Sequence, residues 1–186
     1  EAVQPPALQV SMRGSEAPTA AAPALVIENL NAYYGSFRAV RDVSLEVPAR
    51  NVVAVIGPSG CGKSTMVRCL NRMHEVAPGA YSQGKVLVLG EDIYAPDADP
   101  VQVRRHIGMV FQKLALFPHM TAAENVAFPL KMRRFDPASI PSRVKQFLEL
   151  VRLDGLGARR IHELSGGQQQ RVAIARALVF EPELLL

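Results

Sequence analysis

The sequence has few cysteines, no long apolar run and little net charge, and each of these absences narrows the class of protein. Cys61 and Cys69 are the only cysteines among the 186 residues. About two helical turns separate them, which is too far for a disulfide, so we interpret them as reduced thiols of a cytosolic protein. No apolar run approaches the length of a membrane span, and no secretory signal pattern is visible. The net charge of +4 comes without a basic stripe, so we expect no nucleic-acid partner.

The two ends of the sequence indicate a fragment of a longer protein. The chain starts at Glu1 rather than at methionine, with Met12 a candidate natural start, and it stops inside the apolar run Leu184–Leu186. Residues 1–24 are rich in alanine and proline and have no apolar period, so we predict a flexible leader. The composition, 48% hydrophobic and 20% charged, favours one globular domain with its own core.

The most informative stretch is Gly57–Thr65, which fits the pattern Gly-x-x-x-x-Gly-Lys-Ser/Thr. Asn51–Ile56 before it predicts a buried strand, and Met66–Arg72 after it predicts a helix. A strand, a glycine loop and a helix in this order direct backbone N–H groups at a polyphosphate. A dinucleotide-binding fingerprint is a weaker interpretation, because a Lys-Ser pair is foreign to it and Thr65 replaces its third small residue.

The residues of this loop have separate expected roles. Glycines 57, 60 and 62 permit the backbone angles that wrap the loop around an anion. Lys63 supplies a positive charge for the β- and γ-phosphates. Ser64 offers a hydroxyl oxygen to Mg²⁺, which prefers oxygen ligands. The complete predicted phosphate-binding set is Gly57, Ser59, Gly60, Cys61, Gly62, Lys63, Ser64 and Thr65.

Two strands are predicted ahead of the loop. Leu25–Leu30 and Val43–Val47 are rich in β-branched and apolar residues, and Gly35 between them favours an antiparallel pair. A tyrosine of the pair Tyr33–Tyr34 can stack on a flat base if it is exposed, or pack within the hairpin. The residues alone leave both interpretations open.

A strand, a short helix and a second strand are predicted next. The strand is Lys85–Gly90, and Asp99 is expected to cap a helix that reaches Arg105. Ile107–Phe111 predicts a buried strand that ends in Gln112, just before a loop. A polar amide at the carboxyl end of a parallel strand stands where α/β sheets bind ligands, although a solvated loop residue is the commoner case.

The following section is predicted to be helical. Thr121–Glu124 has the pattern of a capping box, and Pro141–Leu153 predicts a helix that Gly155 and Gly157 end. One face of this helix is apolar and carries Val144, Phe147, Leu148 and Val151. We interpret that face as part of the core rather than as a groove for a partner.

A second possible anion site lies near the end of the chain. Ser165 and Gln168 form another capping-box pattern before a helix that reaches Val179, with Val172, Ala175 and Leu178 facing inward. Gly166 and Gly167 leave the N–H groups of the first turn uncovered, which favours anions. An ordinary N-cap with two glycines for close packing is the alternative, and the residues alone favour it.

These two stretches together resemble the ATP-binding cassette (ABC) family. Leu164–Arg171 resembles the family's signature sequence, and Gly57–Thr65 is similar to its Walker A loop. The resemblance implies that Tyr34 stacks on adenine. It also implies that Gln112 is the Q-loop glutamine, which contacts Mg²⁺ and communicates with a transmembrane partner.

The resemblance covers residues 25–186 and implies an α/β P-loop NTPase fold. It places an antiparallel β subdomain at the front and a helical subdomain at about residues 113–165. The family's cofactors are ATP and Mg²⁺. The implied binding residues outside the Walker A loop are Tyr34, Gln112, Ser165, Gly166, Gly167 and Gln168.

The resemblance also implies partners and a location. Two ABC subunits face each other head to tail, and ATP on one Walker A loop is covered by Ser165 and Gly167 of the other subunit. Closure of the two ABC subunits acts on transmembrane permease subunits. A periplasmic or surface solute-binding protein delivers the solute to these permease subunits. The subunit is therefore expected to lie peripherally at the cytoplasmic face of the inner membrane.

The family's Walker B aspartate, catalytic glutamate and switch histidine are expected after Leu186. Glu181–Leu186 resembles the start of the Walker B strand, and no histidine of the sequence stands at the switch position. We therefore assign no catalytic base. The 186 residues are expected to bind nucleotide but to hydrolyse it slowly or not at all.

Two resemblances compete for the transported solute. Four stretches are similar to bacterial phosphate importers: Leu70–Met73, Pro78–Ala80, Asp92–Tyr94 and Asp99–Val101. Leu116–Thr121 and Glu124–Leu130 instead resemble polyamine, iron or other importers. The change falls just after Lys113, so the sequence is either a divergent importer or a joined product. Phosphate is the preferred solute.

Other classes of function make different demands on the sequence. A soluble ABC ATPase of DNA repair or translation needs a coiled-coil insertion or a second cassette, and neither is seen. A non-hydrolysing nucleotide-binding module needs the catalytic acids to be missing from the whole gene.

Overall fold

The computed structural model describes residues 9–11 and 22–186. The chain divides into two compact units, Glu1–Arg104 and Arg105–Leu186. Most of the predicted leader lies outside the described residues. Within it, Gln9–Ser11 forms strand β1, and strand β2 already begins at Pro23. No helix of the described part is long and apolar enough to cross a membrane.

The first unit is built on a four-stranded antiparallel sheet. Its strands are β2 (Pro23–Tyr34), β3 (Phe37–Pro48), β5 (Ala80–Val88) and β6 (Glu91–Asp92), in the spatial order β3-β2-β5-β6. Gly35, with φ +57°, forms the turn between β2 and β3, so the predicted antiparallel pair is confirmed. Apolar side chains such as Leu25 and Ile27 alternate into the core, as expected for a sheet with one buried face.

The strand before the glycine loop differs from its prediction. Strand β4 covers only Ala54–Ile56, and the prediction that Asn51–Ile56 is buried is wrong. Val52 is 91% exposed and Ile56 is 63% exposed. Burial of a strand depends on its neighbours, and β1 is the only strand paired with β4 among the described residues. The apolar composition of the segment does not show which strands will lie beside it.

Helix α1 (Lys63–Cys69) has seven residues, as many as the predicted Met66–Arg72, but it begins and ends three residues earlier. Arg72 has φ +59°, which an α-helix cannot accommodate, and a 3₁₀ turn at His74–Val76 comes next. Met66 and Cys69 of this helix are buried. Both cysteines are free, as predicted.

Helix α2 (Pro100–His106) runs across the boundary of the units, and the amide of Val101 donates to Asp99 Oδ1 at 2.9 Å, as predicted for an N-cap. Strand β7 (Ile107–Gly108) pairs in parallel with β8 (Leu184–Leu185). The predicted strand Ile107–Phe111 is therefore too long, because the short β8 supplies only a two-residue ladder.

Three helices pack around one apolar core in the second unit. They are α3 (Ala122–Met132), α4 (Ile140–Leu150) and α5 (Gly166–Leu178). Val144, Phe147 and Leu148 are buried, so the apolar face of α4 belongs to the core as predicted. The helix ends at Leu150 rather than at Leu153.

The end of α4 has a local cause. Arg152 takes a left-handed conformation with φ +57° and stops the helix before the glycines are reached. Gly155, with φ +71°, and Gly157 therefore lie in the loop beyond the helix, and the prediction that they end it is wrong.

Candidate functional site

The glycine loop joins β4 to α1 and needs glycine for two different reasons. Gly60 and Gly62 have φ +81° and +97°, which side chains rarely allow. A Cβ on Gly62 would also lie 2.5 Å from the Ala39 carbonyl oxygen. Gly57 has no positive φ, so its expected role in the backbone angles is wrong. The space beside it is tight, because a Cβ on Gly57 would lie 2.9 Å from Cys61 Sγ and the cysteine side chain would have to move.

The Lys63 ammonium folds back across the loop. Its Nζ donates to the carbonyl oxygens of Gly57 at 2.7 Å and Pro58 at 2.6 Å, and it lies 3.6 Å from Cys61 Sγ. The side chain is half-buried, so the positive charge is held at the loop rather than extended into solvent. An anion that enters the loop meets a cation already placed there.

The hydroxyl groups of the loop have different surroundings. Ser59 and Ser64 are exposed, and Ser64 stands in the first turn of α1. Thr65 is half-buried, with its Oγ1 3.5 Å from Tyr34 Oη. The open hydroxyl of Ser64, the glycine cradle and the cation of Lys63 together fit a polyphosphate with a hard metal ion.

The structure separates the two tyrosines that the sequence left undecided. Tyr33 stacks on Tyr81, with ring centroids 4.6 Å apart and planes 6° apart, and so packs within the sheet. Tyr34 is half-buried at the end of β2 and packs edge to face against His74, at 4.6 Å and 76°. Its hydroxyl group also lies beside Thr65 of α1, the helix that follows the glycine loop. Tyr34 is therefore the tyrosine that the fold brings to the loop.

Gln112 lies in the second unit, is exposed, and stands within the irregular segment that follows β7. The backbone just after it is held by Arg176 of α5, which donates to Leu114 O at 3.0 Å and to Ala115 O at 2.8 Å. Burial lowers the pKa of Arg176. Sequence reasoning missed this contact, because an arginine on a helix does not reveal which distant carbonyl it binds.

The second capping box is present as predicted. Gln168 N donates to Ser165 Oγ at 3.3 Å, and Ser165 N donates to Gln168 Oε1 at 2.8 Å. Gly166 and Gly167 are exposed, and a Cβ on either would meet nothing within 4 Å. Close packing therefore does not require these glycines, and the backbone of Gly166 and Gly167 at the start of α5 is uncovered, whereas the N–H of Gln168 is already bonded to Ser165.

The structure thus brings Tyr34 and the glycine loop together within the first unit. Gln112 and Ser165–Gln168 belong to the second unit, and their roles at a nucleotide remain predictions. His74, to which sequence reasoning gave no role because it does not stand at the switch position, is a neighbour of Tyr34.

Comparison with known proteins gives one consistent result. The family model for the ABC transporter matches residues 40–186. The phosphate import ATP-binding protein PstB of Rubrobacter xylanophilus is 50% identical over 171 residues, covering 89% of this chain and 60% of the relative. The PstB protein of Corynebacterium glutamicum is 50% identical over 173 residues, covering 87% of this chain and 65% of the relative. The chain thus spans less than two thirds of these curated relatives, and each match extends to both sides of Lys113.

Two solved structures are similar to the chain. One is cbiO1 from Clostridium perfringens, described as part of the ABC transporter complex cbiONQ. It has a TM-score of 0.75 and 30% identity, covering 88% of this chain and 64% of that protein. The other is a dimeric ATP-binding cassette in a post-hydrolysis state with bound ADP and Pi. Its TM-score is 0.73 at 31% identity, covering 87% of this chain and 72% of that one.

Proposed function

This chain belongs to the ABC transporter family of ATP-binding domains, and from that premise we propose that it binds Mg²⁺-ATP and energises the import of inorganic phosphate. The observation that carries the proposal is the glycine loop with its cation. Gly60 and Gly62 hold left-handed backbone angles, and Lys63 is placed on the loop by two carbonyls. This arrangement serves a polyphosphate better than any other ligand class.

Each residue of the first unit has a proposed task. The loop N–H groups and Lys63 bind phosphate oxygens, Ser64 gives one oxygen to the metal, and Tyr34 stacks on the base. When bound, Mg²⁺-ATP supplies the phosphoanhydride whose hydrolysis drives transport. The residues of the chain contribute binding, orientation and charge.

The second unit is proposed to act on the nucleotide of another copy. The uncovered first turn of α5, capped by Ser165, is an anion-binding terminus of a thirteen-residue helix. In a head-to-tail dimer, Ser165–Gln168 would cover the triphosphate held by the partner's loop. Gln112 would sense the metal, and Arg176 would transmit movement of its loop to α5.

A permease subunit is the proposed membrane partner, with the chain peripheral at the cytoplasmic face. A groove of about 720 Å³ lies between α3 and α4, and its lining includes apolar residues such as Ala127, Phe135 and Ile140. Charged residues, among them Glu124 and Lys131, also border it. Ala127 and Ile140 are themselves buried, so the partly exposed Phe135 and the charged rim are what a partner would contact. A solute-binding protein would act indirectly, through the permease.

Phosphate is proposed as the solute because relatives named as phosphate import proteins are 47 to 50% identical to this chain. Their matches extend to both sides of Lys113, which favours one continuous protein over a joined sequence. A polyamine or iron importer is the alternative suggested by Leu116–Thr121.

Uptake by intact cells tests the solute. Cells in which the source gene is disrupted should lose high-affinity uptake of labelled phosphate and keep uptake of spermidine and ferric iron. Restoring the wild-type gene should return phosphate uptake, and the Lys63→Ala gene should not. Loss of spermidine or iron uptake with normal phosphate uptake would contradict phosphate as the solute while leaving the ATP site untouched.

A further inference from the structure

His74 is a deeply buried histidine beside the candidate site. It opens the 3₁₀ turn His74–Val76 after α1 and is 1% exposed. Its Nε2 lies 2.9 Å from Tyr33 O and 3.2 Å from Tyr81 O. A carbonyl oxygen only accepts hydrogen bonds, so Nε2 carries the hydrogen and donates it. Two adjacent strands, β2 and β5, therefore fix both the tautomer and the plane of the ring.

The oriented ring meets Tyr34. The edge-to-face contact, with centroids 4.6 Å apart and an interplanar angle of 76°, is a favourable geometry for two aromatic rings. Tyr34 Oη in turn lies 3.5 Å from Thr65 Oγ1. The tyrosine is thus held at its ring by His74 and at its hydroxyl by the loop's helix.

Core filling alone does not account for a histidine at this position. Its Nδ1 is buried and has no hydrogen-bond partner among the described residues. A buried polar atom without a hydrogen bond is unfavourable, and an apolar ring at this position would not carry that cost. What the imidazole provides, and an apolar ring lacks, is the Nε2–H that locks the ring plane against two carbonyls. A His74 ring whose plane is fixed can in turn fix the orientation of the side chain that packs on it, which is Tyr34.

We propose that His74 is a positioning residue for base recognition, which holds the Tyr34 ring at the angle required to stack on the nucleotide base. This inference rests on the proposed function, in which Tyr34 contacts the base. His74 itself would touch neither the base nor the phosphates, so its effect should be specific to ligands that carry a base.

The test compares Mg²⁺-ATP with inorganic tripolyphosphate, which lacks base and ribose, by calorimetry on the 186-residue chain. His74→Ala is expected to weaken ATP binding by about 3- to 10-fold, the equivalent of one aromatic edge-to-face contact. Tripolyphosphate binding should stay within about 2-fold, since the loop is intact. His162→Ala removes an exposed histidine and is the matched control, with both affinities unchanged.

A double-mutant cycle shows whether His74 acts through Tyr34. The variant with both Tyr34→Ala and His74→Ala should bind ATP no more weakly than Tyr34→Ala alone. If His74→Ala does not fold, His74→Phe keeps an aromatic ring, somewhat larger than imidazole, but lacks Nε2–H. It should still weaken ATP binding more than tripolyphosphate binding.

Four results would overturn the inference. They are equal loss of both ligands, unchanged ATP affinity, additive effects in the cycle, and a Tyr34→Ala variant that binds ATP normally. In the last case, a Lys63→Ala variant that still loses both ligands would show that the phosphate site stands and only the base contact fails. A Lys63→Ala variant that loses neither would instead refute the proposed function.

Discussion

Replacing Lys63 by alanine tests the phosphate-binding loop most directly. The ammonium donates to two carbonyl oxygens at 2.7 and 2.6 Å, so a bound phosphate must share or replace these acceptors. A hydrogen bond to a charged group contributes about 1.5–3 kcal/mol, and two carbonyl bonds are exchanged for stronger charge-assisted bonds to phosphate. We therefore expect a net loss of about 2–3 kcal/mol, which is about 30- to 140-fold in the Kd for ATP.

Calorimetric titration of the chain with Mg²⁺-ATP measures this loss. The carbonyl of Pro58 can be rehydrated because Pro58 is exposed, so the variant should lose less than about 1 kcal/mol of unfolding free energy. Lys85→Ala is the matched control, since it removes the same charge from an exposed position on β5 and should leave the Kd within about 2-fold. A folded Lys63→Ala variant with unchanged ATP affinity would refute the assignment of the loop.

Three further predictions concern the fold. Gly62→Ala should lower the free energy of unfolding in urea by about 2–4 kcal/mol, because of its positive φ and the carbonyl that its Cβ would meet. Gly166→Ala, with open space and no positive φ, should change it by less than about 0.5 kcal/mol, and equal effects would contradict the steric argument. Asn125→Ala should cost about 2–4 kcal/mol in the same assay, because three hydrogen bonds of a fully buried amide are lost; a neutral result would mean that water replaces them. Burial raises the pKa of Cys69 from 9.0 to about 12, so the folded state favours the neutral thiol, and unfolding free energy should fall as the pH rises from about 9 to 12. Cys69→Ala should lose this component of the pH dependence, measured as the difference between the two chains, and identical pH profiles would exclude a buried thiol as its source.

Local signals predicted the parts of the fold that local contacts determine. The capping boxes at Thr121 and Ser165 need only residues three positions apart, and both are present in the structure. The hairpin about Gly35 likewise depends on one turn. The strand before the glycine loop is present as β4, but its burial was predicted wrongly. The residues that cover a strand come from segments far away in the sequence, and composition does not show whether they are there.

The same distinction applies to the site. Gly57–Thr65 is a contiguous motif, so its position between a strand and a helix could be predicted. His74 and Arg176 could not, because each acts on backbone carbonyls that are remote in sequence: His74 Nε2 binds Tyr33 O across 41 positions, and Arg176 binds Ala115 O across 61. Every residue has a backbone carbonyl, so the amino-acid sequence does not indicate which carbonyl a side chain will bind.

The first unit fixes the loop's helix to the antiparallel sheet at three points. Gly62, at the start of α1, closes on the Ala39 carbonyl of β3, where no Cβ would fit. Thr65, one turn on, meets Tyr34 of β2. His74, beyond the helix end, binds β2 and β5 through one nitrogen. Because these contacts lie before, within and after α1, the helix cannot shift along its axis without disturbing Tyr34. The start of α1, which carries the phosphate loop, is held by Gly62 and Thr65 without His74, so loss of the His74 contact should be felt at Tyr34 and the base rather than at the phosphates.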